Sequence, residues 1–304
     1  MLKPEEYFEP LPASEKNEEY IAMENKSFAK DVWERFYSNK RALVGLILLG
    51  IIVVIAVIGP WISPYPYDGM DTMISNQGAS LAHWFGTDQM GRDEFTRVLY
   101  GARISLMIGF VATAVNVVIG IIYGGIAGYI GGKVDMVMMR IVDVIYSVPA
   151  MIYIILIMLI LGSNVYSVMI GICVNGWVNM ARIVRSEVIT LKEREFAVAA
   201  FVMGASKKRI LFQHLVVNAM GPIIVTATLM VPQAIFNEAF LSFIGIGISA
   251  PAASLGTLAQ DAKMLLAKYP MQMVYPVAVI CVVIFALNFI GDGLEEALNP
   301  KGRR

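Results

Sequence analysis

Long apolar runs without a single charge constrain this chain more than any other feature. Ala42 to Pro60 is such a run, flanked by Lys40 and Arg41, and it approaches the roughly 20 residues that cross a hydrocarbon core of about 30 Å. Ile104 to Gly132 carries no charge. Val144 to Ala181 carries none either, but it is too long for one helix and contains the turn-like Leu161-Gly162-Ser163-Asn164. These runs supply spans two, three and four, with the third beginning near Met136. Ala219 to Gly247, interrupted by Glu238, is the fifth span, and Tyr269 to Gly291 is the sixth. Lipid offers the backbone no hydrogen bonds, so spans of this length are helices. The expectation is an all-α integral membrane protein with six transmembrane helices. A composition 57% hydrophobic and 16% charged, with mean hydropathy +0.65, agrees.

The first forty residues are charged and hold no apolar core of signal-peptide length, which predicts a cytoplasmic N-terminus. Residues 1–26, with Glu5, Glu6, Glu9, Glu15, Glu18 and Glu19 and three prolines before Met23, read as a mobile cytoplasmic tail. Over 27–40, Phe28, Val32 and Phe36 recur every four residues beside Trp33 and Tyr37, the pattern of an interfacial amphipathic helix. Packing on a cytoplasmic partner would produce the same stripe. The remaining boundaries are a first transmembrane helix at 41–61, an extracytoplasmic loop at 62–103, a five-helix core at 104–292 and a cytoplasmic C-terminal tail at 293–304. This topology places 19 of the 24 Lys and Arg residues on the cytoplasmic side and 5 outside, as the positive-inside rule requires.

Several classes of function are excluded. Equal numbers of acidic and basic residues give no electrostatic footprint for nucleic acid. Cys173 and Cys281 lie in apolar runs, and His83 and His214 have no second ligand nearby, so no metal site is expected. No HExxH, GxSxG or CxxC pattern occurs. The segment AGYIGGKV at Ala127–Val134 comes nearest to a phosphate-binding loop, but it lacks the first glycine and the Mg²⁺-binding hydroxyl. The chain is therefore expected to be no enzyme and to bind no cofactor, with any ATP and Mg²⁺ used on partner chains. In the second span Gly120, Gly124 and Gly128 fall four apart, a ridge suited to close helix packing or to a hinge.

The segment EREFAVAAFVMGASKKRILFQHL from Glu193 lies in the longest internal loop predicted to be cytoplasmic. Its Glu195, Phe196, Ala199, Ala200 and Gly204 resemble the EAA signature of bacterial ABC importer permeases. Small side chains let a short helix enter a groove on another protein. Gly204 can end that helix in the left-handed region, and Ser206 can cap the next. Val198 and Val217 depart from the signature. Lys207, Lys208 and Arg209 sit near a helix N-terminus, where the dipole disfavours cations. On this reading Ala200→Arg is expected to block docking. The outer segment HWFGTDQMGRDEFTRVLYGARISL, His83 to Leu106, is similar to the signature of oligopeptide/dipeptide permease subunits, with Thr96 in place of Ser. In helical form Asp88 and Arg92, and Asp93 and Arg97, could pair at an exposed surface read by a binding protein. The stretches Val134–Ala150, Asn237–Gly247 and Asn288–Pro300 resemble the same family in the same order.

The resemblance implies a type I ABC importer permease (MetI-like) fold with a cytoplasmic coupling helix, in a bacterial or archaeal plasma membrane. It also implies a homologous second permease, two cytoplasmic ATP-binding subunits, an extracytoplasmic substrate-binding protein and a peptide cargo, with nickel chelates or glutathione as alternatives. Glu238 within a span must face protein or water. It could gate, contact a substrate amine, or bond between helices as a neutral acid. Asn175, Asn179 and Asn288 could line a polar path or bond between helices, and Arg140 and Asp143 are spaced for an i,i+3 pair. A proton-coupled secondary transporter using Glu238 is the rival from another class, and it leaves both signatures unexplained.

Overall fold

The computed structural model describes residues 27–299. The N-terminal tail at 1–26 and the last residues of the C-terminal tail lie outside that range. Twelve α-helices occur among the described residues, and the only β pairing there is a single bridge between Thr87 and Asp93. Helix α1 (Phe28–Ser38) meets α2 (Lys40–Ile62) at Asn39, whose side chain accepts from the backbone N–H of Arg41 and Ala42 and caps α2. The same side chain donates to Glu296 at 2.7 Å, near the far end of the sequence. Phe36 is buried with Ala42, Ile290 and Ala297, and Val32 packs against them, whereas Trp33 and Tyr37 are exposed. The Val32–Phe36 stripe is thus satisfied within the chain, and the aromatic edge faces out.

Among the described residues five helices are long and apolar enough to cross a membrane: α2, α3 (Glu94–Ile130), α6 (Val165–Lys192), α10 (Met220–Phe243) and α12 (Pro270–Leu298). α4 (Gly132–Ser147) and α5 (Ala150–Leu161) together are long and apolar enough for a further span, but they are bent by 79° at their junction. This break departs from the expectation of one continuous third span. Pro149 lacks an N–H and forces Val148 into extended backbone (ψ 126°), which ends α4. The carbonyl of Ile145 left free there accepts from Tyr153 Oη at 3.2 Å and Asn175 Nδ2 at 3.2 Å.

Three helices outrun their apolar segments, each for an identifiable reason. α3 starts ten residues before Ile104 because Asp93 caps it through Thr96 N. α6 continues past Ala181 because its charges find partners: Arg185 forks onto Asp135, Arg182 meets Asp143 at 2.9 Å, and Lys192 donates to Tyr129 O. Arg140 and Asp143 accordingly do not pair; the acid goes to Arg182 on the neighbouring helix. α12 runs to Leu298, so most of the described part of the expected tail at 293–304 is helical.

Within lipid, hydrocarbon provides little drive for helix association, so close packing must supply it. The glycine ridge does this between α3 and α6. A Cβ at Gly120 would meet Met180, at Gly124 the backbone of Ala181, and at Gly128 the carbonyl of Arg185. These glycines therefore serve helix packing. One core cluster joins α2, α3, α10, α12 and the short helix α11 (Leu255–Lys263). Another lies at the opposite end, around Met180, Val184 and Val188 of α6.

Candidate functional site

At that opposite end the chain leaves α6 and forms α7 (Glu195–Val202), eight residues that are apolar apart from Glu195. Glu195 occupies the first turn, where a negative charge complements the helix dipole. Gly204 ends the element with φ +80°, as expected. Gly204 N donates to Phe201 O and Ala205 N donates to Ala200 O, both at 3.0 Å, a Schellman arrangement that satisfies the last carbonyls. Ser206 Oγ then accepts from Arg209 N and starts α8 (Lys207–Arg209). A π-helical segment (Ile210–Leu215) and α9 (Val216–Asn218) lead on to α10.

The two faces of α7 differ in a way the sequence did not disclose. Ala197 and Ala200, each 3% exposed, are buried with Ile210, Leu211 and Leu215 of the same chain. Phe196, Val198 and Ala199 face outward with Phe201 at 67%, Val202 at 78% and Met203 at 81% exposure. Ala200 therefore cannot be the residue that enters a partner's groove; it seats the helix on its own subunit. Ala199 belongs to the presented face. The outward side of α7 is thus a contiguous exposed apolar patch on a helix seated on its own subunit through the two alanines.

At the α11 end, the GTDQMGRD segment folds into a buried ionic cluster. Gly91 adopts φ +71°, and a Cβ there would overlap the backbone of Asp71, so the turn admits only glycine. Asp88 accepts from Met90 N, Arg92 N and Arg92 Nε, the last at 2.6 Å. Asp93 does not pair with Arg97. As the N-cap it accepts from Thr96 N and Thr96 Oγ1, and His83 Nδ1 lies 2.8 Å from its other oxygen. Arg97 instead lies 3.5 Å from both Asp88 and Asp261, and Arg92 lies 3.6 Å from Asp261. Burial raises the Asp261 carboxyl above the usual carboxylate range, against the pull of Arg97 and Arg92. These residues are buried, so Asp88, Arg92 and Asp93 shape the loop from inside. A polar cavity of about 250 Å³ opens beside Arg92, Arg97, Ser249 and Gln260.

Between the two ends Glu238 is completely buried. Ser105 of α3 donates to Oε2 at 2.8 Å and Ser242 of α10 donates to Oε1 at 2.9 Å. Ser105 Oγ also accepts from Leu255 N, and Ser254 Oγ reaches Ser242 Oγ at 3.4 Å, which binds the N-terminus of α11 into the same cluster. Glu238 faces no open path in this structure; it joins three helices. Asn175 is occupied at the α4–α5 break, Asn179 is exposed, and Asn288 is half-buried. Among the described residues no hydrogen bond joins the three asparagines to Glu238; the partners of Glu238 are Ser105 and Ser242, with Ser254 behind them, and isolated serines carry no pattern in the sequence.

A bundle of helices long and apolar enough to cross a membrane, with a short apolar helix presented on the loop between two of them, defines an integral membrane protein. The family described as binding-protein-dependent transport system inner membrane component matches residues 117–304, and the N-terminal TM domain of oligopeptide transport permease C matches residues 27–79. The chain belongs to this permease family. It is 44% identical over 301 residues to the oligopeptide transport system permease protein OppC of Bacillus subtilis (strain 168), covering 99% of each chain. It is 43% identical to the dipeptide transport system permease protein DppC of the same organism, covering 99% of this chain and 94% of that one. OppC of Escherichia coli (strain K12) is 40% identical over 287 residues, covering 94% of this chain and 95% of its own. Among solved structures, inward-facing conformations of the MetNI methionine ABC transporter share the fold, with a TM-score of 0.55 at 19% identity over 68% of this chain and 96% of that one. The MetI-like permease fold expected from the sequence is therefore present.

Proposed function

We propose that this chain is the permease subunit of an ATP-driven importer of oligopeptides or dipeptides, and that it forms the translocation path with a homologous permease. The observation that carries this reading is the end-to-end likeness to the Bacillus subtilis OppC and DppC chains, 44% and 43% identical. In this reading two ATP-binding subunits join the assembly, one of them on the outward face of α7, formed by Phe196, Ala199, Phe201 and Met203, with Glu195 at its start. They hold all the ATP and Mg²⁺; this chain binds neither. The α11 end faces a substrate-binding protein outside the cell, both termini are cytoplasmic, and the protein resides in a bacterial or archaeal plasma membrane. Closure of the ATPase pair pushes on α7, and α6, joined to it through Glu193 and Arg194, carries the displacement across the bilayer as a rigid rod.

Gentle solubilisation of the tagged protein, with mass spectrometry of what co-purifies, tests the assembly, and ATP-dependent uptake of labelled di- to pentapeptides into proteoliposomes tests the cargo. The expected result is a second permease with two ATPases, and uptake that stops without ATP or binding protein. A chain that purifies alone and transports on a proton gradient would overturn the proposal.

A further inference from the structure

The polar cavity of about 250 Å³ at the α11 end is a cleft with its charge at the floor. Arg92 and Arg97 are buried there, whereas Ser163, Ser249 and Ala250 at the rim are exposed, and Ser249 N donates to Ser163 O at 3.1 Å to close that rim. The two guanidiniums are unequally satisfied. Arg92 Nε donates to Asp88 at 2.6 Å, the short contact of a charge-assisted bond. Arg97 is 3% exposed and has no contact that close. Its Nη1 lies 3.4 Å from Tyr67 O and its Nη2 3.5 Å from Asp261, while Nε, 3.5 Å from Asp88, has no hydrogen-bond partner. A buried guanidinium with five N–H donors and only long contacts is costly unless something else meets it. Asp261 does not do so fully, because its half-exposed side chain is shared with Arg92 at 3.6 Å. Glu94, three residues before Arg97 on α3, lines a separate space of about 10 Å³ with Asp88 and Gln272. The cleft itself far exceeds the ~30 Å³ share of one water, and Gly245, Gly247 and Ala252 keep it wide.

We propose that this cleft is a subsite for the C-terminal carboxylate of a peptide, received by Arg97 with the Gln260 amide beside it. The inference rests on the reading of this chain as a peptide permease and adds the chemical group by which the cargo is held. The planar fork of a guanidinium matches the two oxygens of a carboxylate. The volume commits the site to a carboxylate that brings a chain with it, since the acidic side chain of a partner protein would occupy the floor and leave most of the cleft unfilled. Glycine and alanine walls leave the adjoining side chains unread, as a cargo of varied sequence requires. Burial raises the Asp261 carboxyl above the usual carboxylate range, so where it holds its proton it donates to the incoming carboxylate rather than repelling it.

The test is binding of trialanine and of trialanine amide to the purified transporter complex without its binding protein, by ligand-observed NMR titration, with ATP-dependent uptake measured in parallel with the binding protein present. Wild type binds the free acid roughly tenfold or more tighter than the amide, the factor carried by a hydrogen bond between charged groups. R97Q abolishes that preference. D261N tightens binding of the acid, because it removes the one carboxylate that lines the cleft, and K268Q, at an exposed cation outside the cleft, leaves binding unchanged. S249W blocks the rim with both guanidiniums in place and lowers binding as R97Q does, which keeps the test decisive if R97Q fails to assemble. Equal binding of acid and amide by wild type, weaker binding in D261N, or displacement of trialanine by sulfate at equal affinity would each overturn the proposal. Loss of binding-protein capture in R97Q without any acid-over-amide preference would overturn it too, and would assign the cleft to an acidic segment of that partner. Peptide uptake by wild type with no such preference sinks the subsite and leaves the transport reading standing, whereas the preference without uptake supports the subsite and sinks the transport reading.

Discussion

The two alanines of α7 offer a sharp test because they are adjacent in sequence and face opposite ways. Ala200 is 3% exposed in the cluster formed with Ile210, Leu211 and Leu215, whereas Ala199 is exposed. In Ala200→Arg the added side chain overpacks a filled site, at about 1–3 kcal/mol. Its guanidinium also loses water without gaining a carboxylate, which adds several kcal/mol more. Together these exceed what an eight-residue helix can withstand, so α7 detaches from its own subunit. Ala199→Arg adds the same group to open surface, where substitutions stay within about 0.5 kcal/mol of neutral. At a docked interface, however, a clash at a central position costs about 2 kcal/mol or more, roughly 30-fold in affinity. The assay reads three quantities for each variant: abundance and melting temperature of the permease, ATPase subunits retained on purification, and peptide uptake. Ala199→Arg should keep wild-type abundance and melting temperature while losing ATPases and uptake. Ala200→Arg should lose thermal stability as well. Wild-type ATPase retention and uptake in Ala199→Arg would refute the assignment of the outward face. Normal stability in Ala200→Arg would refute the packing argument.

Three further outcomes follow from the packing and the buried groups. Gly124→Ala drives a Cβ into the backbone of Ala181 and should lower the melting temperature of the purified complex by several degrees, whereas Gly125→Ala meets only Leu211 at 3.4 Å and gains helix propensity, so it should match or exceed wild type. Glu238→Gln keeps partners for Ser105 and Ser242 and should retain most uptake and stability; Glu238→Leu strands both hydroxyls, at about 1–3 kcal/mol each, and should lower melting temperature and expression together. Uptake abolished by Glu238→Gln at wild-type abundance would point to proton chemistry at this carboxyl. Because burial raises the Asp261 carboxyl above its ordinary value, the folded state holds that proton more tightly than the unfolded chain. Its contribution is therefore full at low pH and fades as pH rises through the raised value, so melting curves between pH 4 and pH 8 should show a slope that Asp261→Asn flattens.

The spans were legible because an uncharged run of about 20 residues admits one solution in lipid. The glycine ridge was legible for a related reason: a four-residue period of absent side chains marks one helix face whatever the fold. Ends and pairings were not. Asp93 and Arg97 have helical spacing, yet Asp93 is the cap and bends back to Thr96 N, while Arg97 turns to Asp88 and Asp261. Asp143 likewise passes over Arg140, three residues away, for Arg182 on another helix. Local spacing states which partners are within reach, and tertiary packing decides which is taken. The facing of α7 was hidden because EFAVAAFV has no polar side to mark solvent. Size carried the missing signal: Ala197 and Ala200, three apart and small, sit against the body, and the bulky Phe201 and Val202 stand clear.

The placement of the fixed and breakable contacts also bears on how a push at α7 could reach the far side. α6 has 28 residues and spans about 42 Å, and the glycine ridge binds α3 to it along its α7 half. A displacement of α7 therefore moves α3 and α6 together rather than sliding one along the other. α3 in turn carries Ser105, whose hydroxyl holds both Glu238 of α10 and the backbone of Leu255 at the start of α11. The far end of the rod thus terminates in hydrogen bonds that can exchange partners, while its near end terminates in backbone contact that cannot. Between them the α4–α5 bend at Pro149 is tied to α6 by Asn175 through Ile145 O, with Asp135 and Asp143 clamping α4 below it. In the proposed transport reading, the rigid pair, the bent α4–α5 element attached to it and the polar cluster at its tip would serve as a lever, a joint and a release. Coupling across a membrane requires elements with two discrete arrangements, and in this fold the joint and the release are where a second arrangement would demand least repacking.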